Sequence, residues 1–207
     1  MKMTKEQIIA DLDYASAIAR DGATTPLLGG PIGLMWGILI SAALMGMWAI
    51  LTQIINVPYN AIWIIWVAFA VIGGLGSAIL GKRIDNKVGA NSVANRVESY
   101  VWIMFSGFAG TLFIGAVLNM ALQKASPEIF YFIMVAAFAA QGLAYGVVAK
   151  LTNLKWVHMA SLASFVSSAV CFSMLGDVNM YVVASIAAII TIVIPSLISM
   201  QKANRNA

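Results

Sequence analysis

The chain alternates six long apolar stretches with short polar breaks. The apolar stretches cover residues 31–53, 58–81, 99–122, 128–149, 156–175 and 179–200, and within them the only Asp, Glu, Lys or Arg is Glu128 at the edge of the fourth. A helix that rises about 1.5 Å per residue needs about 20 residues to cross about 30 Å of hydrocarbon. The pattern therefore predicts an all-α, polytopic integral membrane protein with six transmembrane helices.

Three of the polar breaks have the composition of turns. The segments 56–58, 126–128 and 176–179 each contain a proline or a capping side chain suited to the start of a helix. Helices joined by connections this short are expected to lie side by side and antiparallel. The six helices are therefore predicted to form three hairpins, within a transmembrane domain of residues 26–200 and a cytoplasmic tail of residues 201–207.

The first 25 residues are polar and predict a short cytoplasmic helix followed by a hinge. Its apolar positions recur at i, i+4, i+7 and i+11, which places them on one helix face: Ile8, Leu12, Ala15 and Ala19. The opposite face is acidic overall, whereas helices that bind anionic lipid are rich in Lys and Arg. This amphipathic helix is therefore predicted to dock on its own bundle or on a partner protein.

Composition and charge indicate the class of protein and predict its orientation in the membrane. Hydrophobic residues make up 61% of the chain and charged residues 10%, against about 45–50% and about 25% in soluble domains. Every one of the 12 Lys and Arg except Lys124 falls on one side of the predicted membrane, so both termini are predicted to be cytoplasmic. The net charge of +4 thus reflects topology, and no basic stripe with interleaved aromatics indicates nucleic-acid binding. Small size, short outer loops and the lack of an N-x-[ST] sequon favour a bacterial cytoplasmic (inner) membrane.

Small residues recur at four-residue spacing in several spans. Gly29, Gly33 and Gly37 open the first span, but no lysine follows them, so they do not form a phosphate-binding loop. Spacing of this kind allows helix backbones to approach closely in lipid. The residues predicted to pack helices together, within the chain or between chains, are Gly33, Gly37, Gly73, Ser77, Gly107, Gly142 and Gly146. Pro31 is predicted to lie in the first turn of the helix, with Gly29 in the bend before it.

Polar side chains at membrane depth form the second candidate site. They are Gln141 in the fourth span and a line of residues along the fifth, His158, Ser161, Ser164 and Ser168. Two interpretations stay open: a water-lined pathway, or small polar residues that bond to backbone in a close helix contact. Pro195 is also notable, because it leaves the carbonyl of Thr191 unpaired and predicts a kink in the sixth span.

The types of residue that are missing from the spans limit the chemistry. No Asp, Glu, Lys or Arg lies deep in a span, which disfavours proton-coupled transport. One histidine and one cysteine, Cys171, do not suggest a metal site, a cofactor or a catalytic centre. The sequence favours a non-enzymatic membrane subunit, scaffold or regulator whose partners are lipid and another membrane protein or a second copy. The alternative is an uncoupled channel or facilitator for a small neutral or weakly polar solute.

Overall fold

The computed structural model of the chain describes residue 7, residues 9–14, residue 16, residues 26–123 and residues 128–205. Helix accounts for 85% of the structure, and the described residues include no strand. Six helices are long and apolar enough to span a membrane. The prediction of an all-helical protein with six candidate transmembrane helices is confirmed.

The helix bounds differ from the predicted spans mainly at the polar ends. The six helices are α1 (Gly30–Leu51), α2 (Ile62–Asp85), α3 (Val93–Gln123), α4 (Ile129–Thr152), α5 (Lys155–Ser173) and α6 (Met180–Arg205), the last containing a π-helical segment at Ile189–Val193. Pro31 lies in the first turn of α1, as predicted. Helix α3 begins six residues before its predicted span, and α6 continues through residues 201–205 of the predicted tail.

The N-terminal helix is described only in part. Residues 7, 9–14 and 16 are helical and exposed, and Leu12 has 64% of its surface accessible. Ile8, Ala15 and Ala19 lie outside the described residues. Docking through this face therefore stays a prediction.

Helices α4 and α5 form the most extensive helix pair in the described structure. Only Asn153 and Leu154 separate them, and Asn153 has a left-handed backbone (φ 56°), which asparagine tolerates at a helix C-terminus. A turn this short forces the two helices to run antiparallel in contact. This pair crosses the boundary between two predicted hairpins, so the three-hairpin grouping is not confirmed.

The buried residues concentrate at two levels of the bundle. One cluster joins α1, α4, α5 and α6 and includes Leu44, Phe138, Cys171 and Met180. The other, near the opposite ends of α4 and α5, packs Leu27 and Ala94 against residues such as Tyr145 and Val157. The first cluster holds α1, α4, α5 and α6 together as the packed part of the molecule, and the second holds α4 and α5 against Leu27 and against Ala94 at the start of α3.

Helices α2 and α3 contribute little to either cluster. In the most apolar 18-residue window of each, 6% of residues are buried, compared with 33–44% for the other four helices. Helix α2 rests on α1, and α3 rests on α4. Between α2 and α3, the described ring contacts are those of Phe113 with Trp63 and Trp66.

Candidate functional site

Gln141 lies at the centre of the polar residues inside the bundle. Its side chain is 3% exposed, and its Nε2 donates to Ser164 Oγ at 3.1 Å and to the Thr191 carbonyl at 3.3 Å. These bonds join α4 to both α5 and α6. An α-helix would pair the Thr191 carbonyl with the N–H of residue 195, which proline lacks, and the Gln141 amide donates to this carbonyl.

The proline also coincides with a change in helix geometry. The π-helical segment Ile189–Val193 ends two residues before Pro195. Thr191, which is fully buried within it, donates from Oγ1 to the Ala187 carbonyl at 2.8 Å. Short π-helical turns often accompany interrupted backbone hydrogen bonding. The sequence predicts a kink at this point, and the structure places a π-helical segment there.

The serines of α5 are used in contacts with backbone. Ser161 Oγ donates to the Gly142 carbonyl at 2.7 Å, and Ser168 Oγ donates to the Val135 carbonyl at 2.8 Å. Ser164 Oγ donates to the Ala160 carbonyl of its own helix at 2.8 Å. The three hydroxyls therefore bond to helix backbone, two of them across the α4–α5 contact. His158, which is exposed near the start of α5, is not among these partners.

Glycines of α1 lie against α6. A Cβ built on Gly30 would lie 2.9 Å from the Ser196 carbonyl, and one on Gly37 would lie 2.7 Å from Val193 Cγ2. A Cβ on Gly33 would meet Ser196 Oγ. Close backbone approach is what makes small residues useful between helices in lipid. The contact extends to Ser41, whose Oγ donates to the Ser185 carbonyl at 3.2 Å, while Ser185 Oγ donates back to the Ser41 carbonyl at 3.1 Å.

The small residues of α2 and α4 also face neighbouring helices. A Cβ on Gly73 would meet the ring of Trp36, whose Nε1 donates to Ser77 Oγ at 2.9 Å. On α4, a Cβ at Gly142 would lie 3.0 Å from the Phe165 ring, and one at Gly146 would lie 3.4 Å from Ser161 Oγ.

Gly107 differs from the other candidate packing residues. No described atom lies within 4 Å of a Cβ built on Gly107, Gly110 or Gly115 of α3, apart from the helix's own nearby backbone. Thr111, on the same face as Gly107, donates to the Gly107 carbonyl of its own helix at 2.9 Å. The described chain thus leaves the small-residue face of α3 without a helix against it.

A second group of polar contacts holds the segment before α1. Asn95, buried in the first turn of α3, accepts from the Leu28 N–H through Oδ1 at 2.8 Å. Its Nδ2 donates to the Pro26 and Gly89 carbonyls, both at 3.0 Å. The Gly29 N–H donates to Glu98 Oε2 at 3.3 Å, and Ser199 Oγ of α6 donates to the Leu27 carbonyl at 2.9 Å. We call residues 26–29 with these partners the N-terminal clamp.

Sequence reasoning missed the clamp because its partners are remote along the chain. Asn95 and Glu98 are polar residues at the boundary of a loop and a span, and they lie 67 and 69 residues from Leu28 and Gly29, whose N–H groups they bind. The available signal was the pair Leu27–Leu28, two large apolar residues placed before a helix-starting proline. Both are buried.

The polar contacts described for this site join α4, α5 and α6 to one another. The described residues contain no group of three His, Cys, Asp or Glu able to hold a metal ion, and Cys171 is a buried free thiol. Gln141 Nε2 and the hydroxyls of Ser161, Ser164 and Ser168 donate to other helices or to backbone. Comparison of the chain with protein-family models, curated proteins and solved structures found no match.

Proposed function

We propose that the protein is a non-enzymatic membrane subunit that associates with another membrane protein, or with a second copy of itself, through α2 and α3. The observation that carries this proposal is the contrast in burial: 6% of the apolar window in each of these helices, against 33–44% elsewhere. The other four helices supply all the buried residues of the first cluster, and α3 supplies Ala94 to the second. The remaining two helices are available for contacts outside the chain.

The composition of α3 supports a protein partner on this face in addition to lipid. Helices in a bilayer are not driven together by the hydrophobic effect, so association depends on close van der Waals packing and interhelical hydrogen bonds. Gly107 and Gly115 provide a flat surface around Thr111, and no described residue of the chain fills it. Such a surface gains more from a closely packed helix than from mobile acyl chains.

The N-terminal clamp supports a regulatory or scaffolding role at the predicted cytoplasmic side. It connects the first two turns of α3 to the backbone just before α1 through Asn95 and Glu98. A partner that repositions α3 would therefore act directly on the segment that carries the N-terminal helix. This proposal assumes the orientation predicted from the distribution of Lys and Arg, with both termini in the cytoplasm of a bacterial cell.

The alternative, an uncoupled channel or facilitator, relies on Gln141 and the serines of α5. These side chains are buried, and their described hydrogen bonds run to Thr191, Ala160, Gly142 and Val135. A pathway through them would need those helix contacts to break. The hydrogen-bonding pattern therefore favours the subunit over the channel.

Site-specific photocrosslinking in native membranes tests the proposal. A benzophenone side chain replaces Ile114, which is 61% exposed and lies on the same face of α3 as Gly107. In a matched control, it replaces Phe172 of α5, which is 59% exposed. We expect a discrete protein adduct from position 114 and only lipid adducts from position 172. Gly107→Leu in the same chain should reduce the adduct at position 114 several-fold.

Two results would contradict the proposal. The first is that both positions give lipid adducts alone. The second is a solute flux in proteoliposomes that exceeds that of empty vesicles and is lost in Gln141→Leu, which would favour the facilitator.

A further inference from the structure

An apolar groove opens on the surface between α3, α4 and α5. Its volume is about 650 Å³, and its lining includes Val97 of α3, Phe165 of α5, and Leu143, Val147 and Lys150 of α4. Every lining residue except Lys150 is apolar or glycine. The groove exists because α3 and α5 flank α4 on two sides and because Gly142 and Gly146 place no side chain between them.

The groove runs from the bilayer interior to the polar end of α4. Its lining on α4 extends from Gly142 to Leu151, which corresponds to about 14 Å along a helix axis. Lys150 lies two residues before the end of this helix, at the level where a spanning helix meets the lipid headgroups. The groove is therefore parallel to the acyl chains of the surrounding leaflet and has a cation at its headgroup end.

The charge of Lys150 is not neutralised within the described chain. No described carboxylate forms an ion pair with it, and its side chain is exposed. A lysine near a membrane surface attracts anionic lipid, with a contribution of roughly 1 kcal/mol. Phosphate therefore complements the one charge that this groove presents.

The lining favours lipid as the occupant. The groove is open along its side, apolar along its length and charged only at Lys150 at the headgroup level, which matches the order of acyl chain and phosphate in a phospholipid. We propose that this groove binds an anionic phospholipid, with an acyl chain between Val97 and Phe165 and the phosphate beside the Lys150 ammonium. On α3 the groove is lined by Val97, about 15 Å along the helix from Gly107, and the proposal does not depend on the partner proposed above.

Native mass spectrometry of the full chain tests the site. The protein is released from nanodiscs that contain equal amounts of dioleoyl phosphatidylglycerol and dioleoyl phosphatidylcholine, and the retained lipids are identified. We expect one phosphatidylglycerol to be retained in preference to phosphatidylcholine. Lys150→Gln should lower that preference about fivefold, the factor that corresponds to roughly 1 kcal/mol, whereas Lys82→Gln, at the end of α2 outside the groove, should leave it unchanged.

A second pair of variants tests the apolar part of the groove. Val147→Trp fills it with a larger side chain, and Val71→Trp on α2 makes the same change at a valine that is equally exposed, 52% in both cases. We expect Val147→Trp to lose the retained lipid and Val71→Trp to keep it. Both positions lie on the surface, so neither change disturbs the buried clusters.

The proposal is overturned by any of three results. Equal retention of the two lipids by the unmodified chain would remove the selectivity for anionic lipid. Equal effects of Lys150→Gln and Lys82→Gln would show that general surface charge is responsible. Retention that is unchanged in Val147→Trp would place the lipid outside the groove.

Discussion

Helices α1 and α3 have equally apolar spans, yet they have different roles in the structure. A third of the apolar window of α1 is buried, compared with 6% for α3. Helix α1 contacts α6 through Gly30, Gly33 and Gly37, while Gly107, Gly110 and Gly115 of α3 meet no described residue. Apolar character therefore determines that both helices enter the membrane, and it does not determine which of them packs inside the chain.

Hydrogen bonding separates the two helices more clearly than composition does. Ser41 of α1 exchanges hydrogen bonds with Ser185 of α6 across the helix contact. On α3, Ser106 and Thr111 donate to carbonyls of their own helix, those of Trp102 and Gly107. Polar side chains that bond within their own helix leave its surface able to contact lipid or another protein.

The largest expected effect on stability comes from introducing leucine at Gly37 of α1, compared with the same change at Gly107 of α3. Gly37→Leu introduces a side chain where even a Cβ would lie 2.7 Å from Val193 Cγ2, and overpacking typically costs about 1–3 kcal/mol. Gly107→Leu introduces it into open space. We expect Gly37→Leu to lower the free energy of unfolding by about 3 kcal/mol and Gly107→Leu to leave it unchanged or raise it by up to about 1 kcal/mol, because leucine favours a helix more than glycine does.

Reversible unfolding of the purified monomer in mixed detergent micelles measures the free energy of unfolding of both variants. The two substitutions have the same effect on helix propensity, so the difference between them reports packing. Equal loss of stability in the two variants would contradict the division of the molecule into a packed and an exposed part.

The sequence predicted most of the fold and only part of the site. Lengths of apolar sequence specify membrane helices, because backbone groups in hydrocarbon must be paired within each helix. The inward position of Gln141 and the unpaired carbonyl of Thr191 could both be inferred from residue chemistry. Whether the Gln141 amide bonds to the Thr191 carbonyl depends on how α4 is placed relative to α6. Local sequence does not encode that placement.

The glycine motifs illustrate the same limit. Gly33 and Gly107 have the same spacing to a small residue four positions on, at Gly37 and Thr111. One pair faces α6, and the other faces away from the described chain. The motif specifies a surface that permits close approach, while the arrangement of the other helices decides whether the approach occurs within the chain.

A smaller loss of stability is expected from a change near the N-terminal end of α3, where Asn95 is buried. Asn95→Ala removes the partners of the Leu28 N–H and the Pro26 carbonyl, and leaving such buried groups unpaired costs about 1–3 kcal/mol. We expect a loss of about 2 kcal/mol and faster hydrogen exchange at Leu28. Asn119→Ala, the same change near the other end of α3, serves as the control and should leave both measurements unchanged. Unaltered exchange at Leu28 in Asn95→Ala would show that the clamp does not hold this segment.

The smallest effect on stability concerns the hydrogen bonds that Gln141 of α4 donates to α5 and α6. Gln141→Leu removes the donor to the Thr191 carbonyl, and hydrogen bonds between membrane helices are worth about 0.6 kcal/mol on average, so the two lost bonds should cost about 1 kcal/mol. In a Pro195→Ala background the alanine N–H becomes available one turn from that carbonyl, so the same substitution should cost about half as much. A double-mutant cycle on unfolding free energies measures this coupling. Additive effects of the two changes would mean that Gln141 does not compensate for the proline, and that other side-chain contacts, such as the ring contact of Tyr131 with Tyr181, hold α4 to α6.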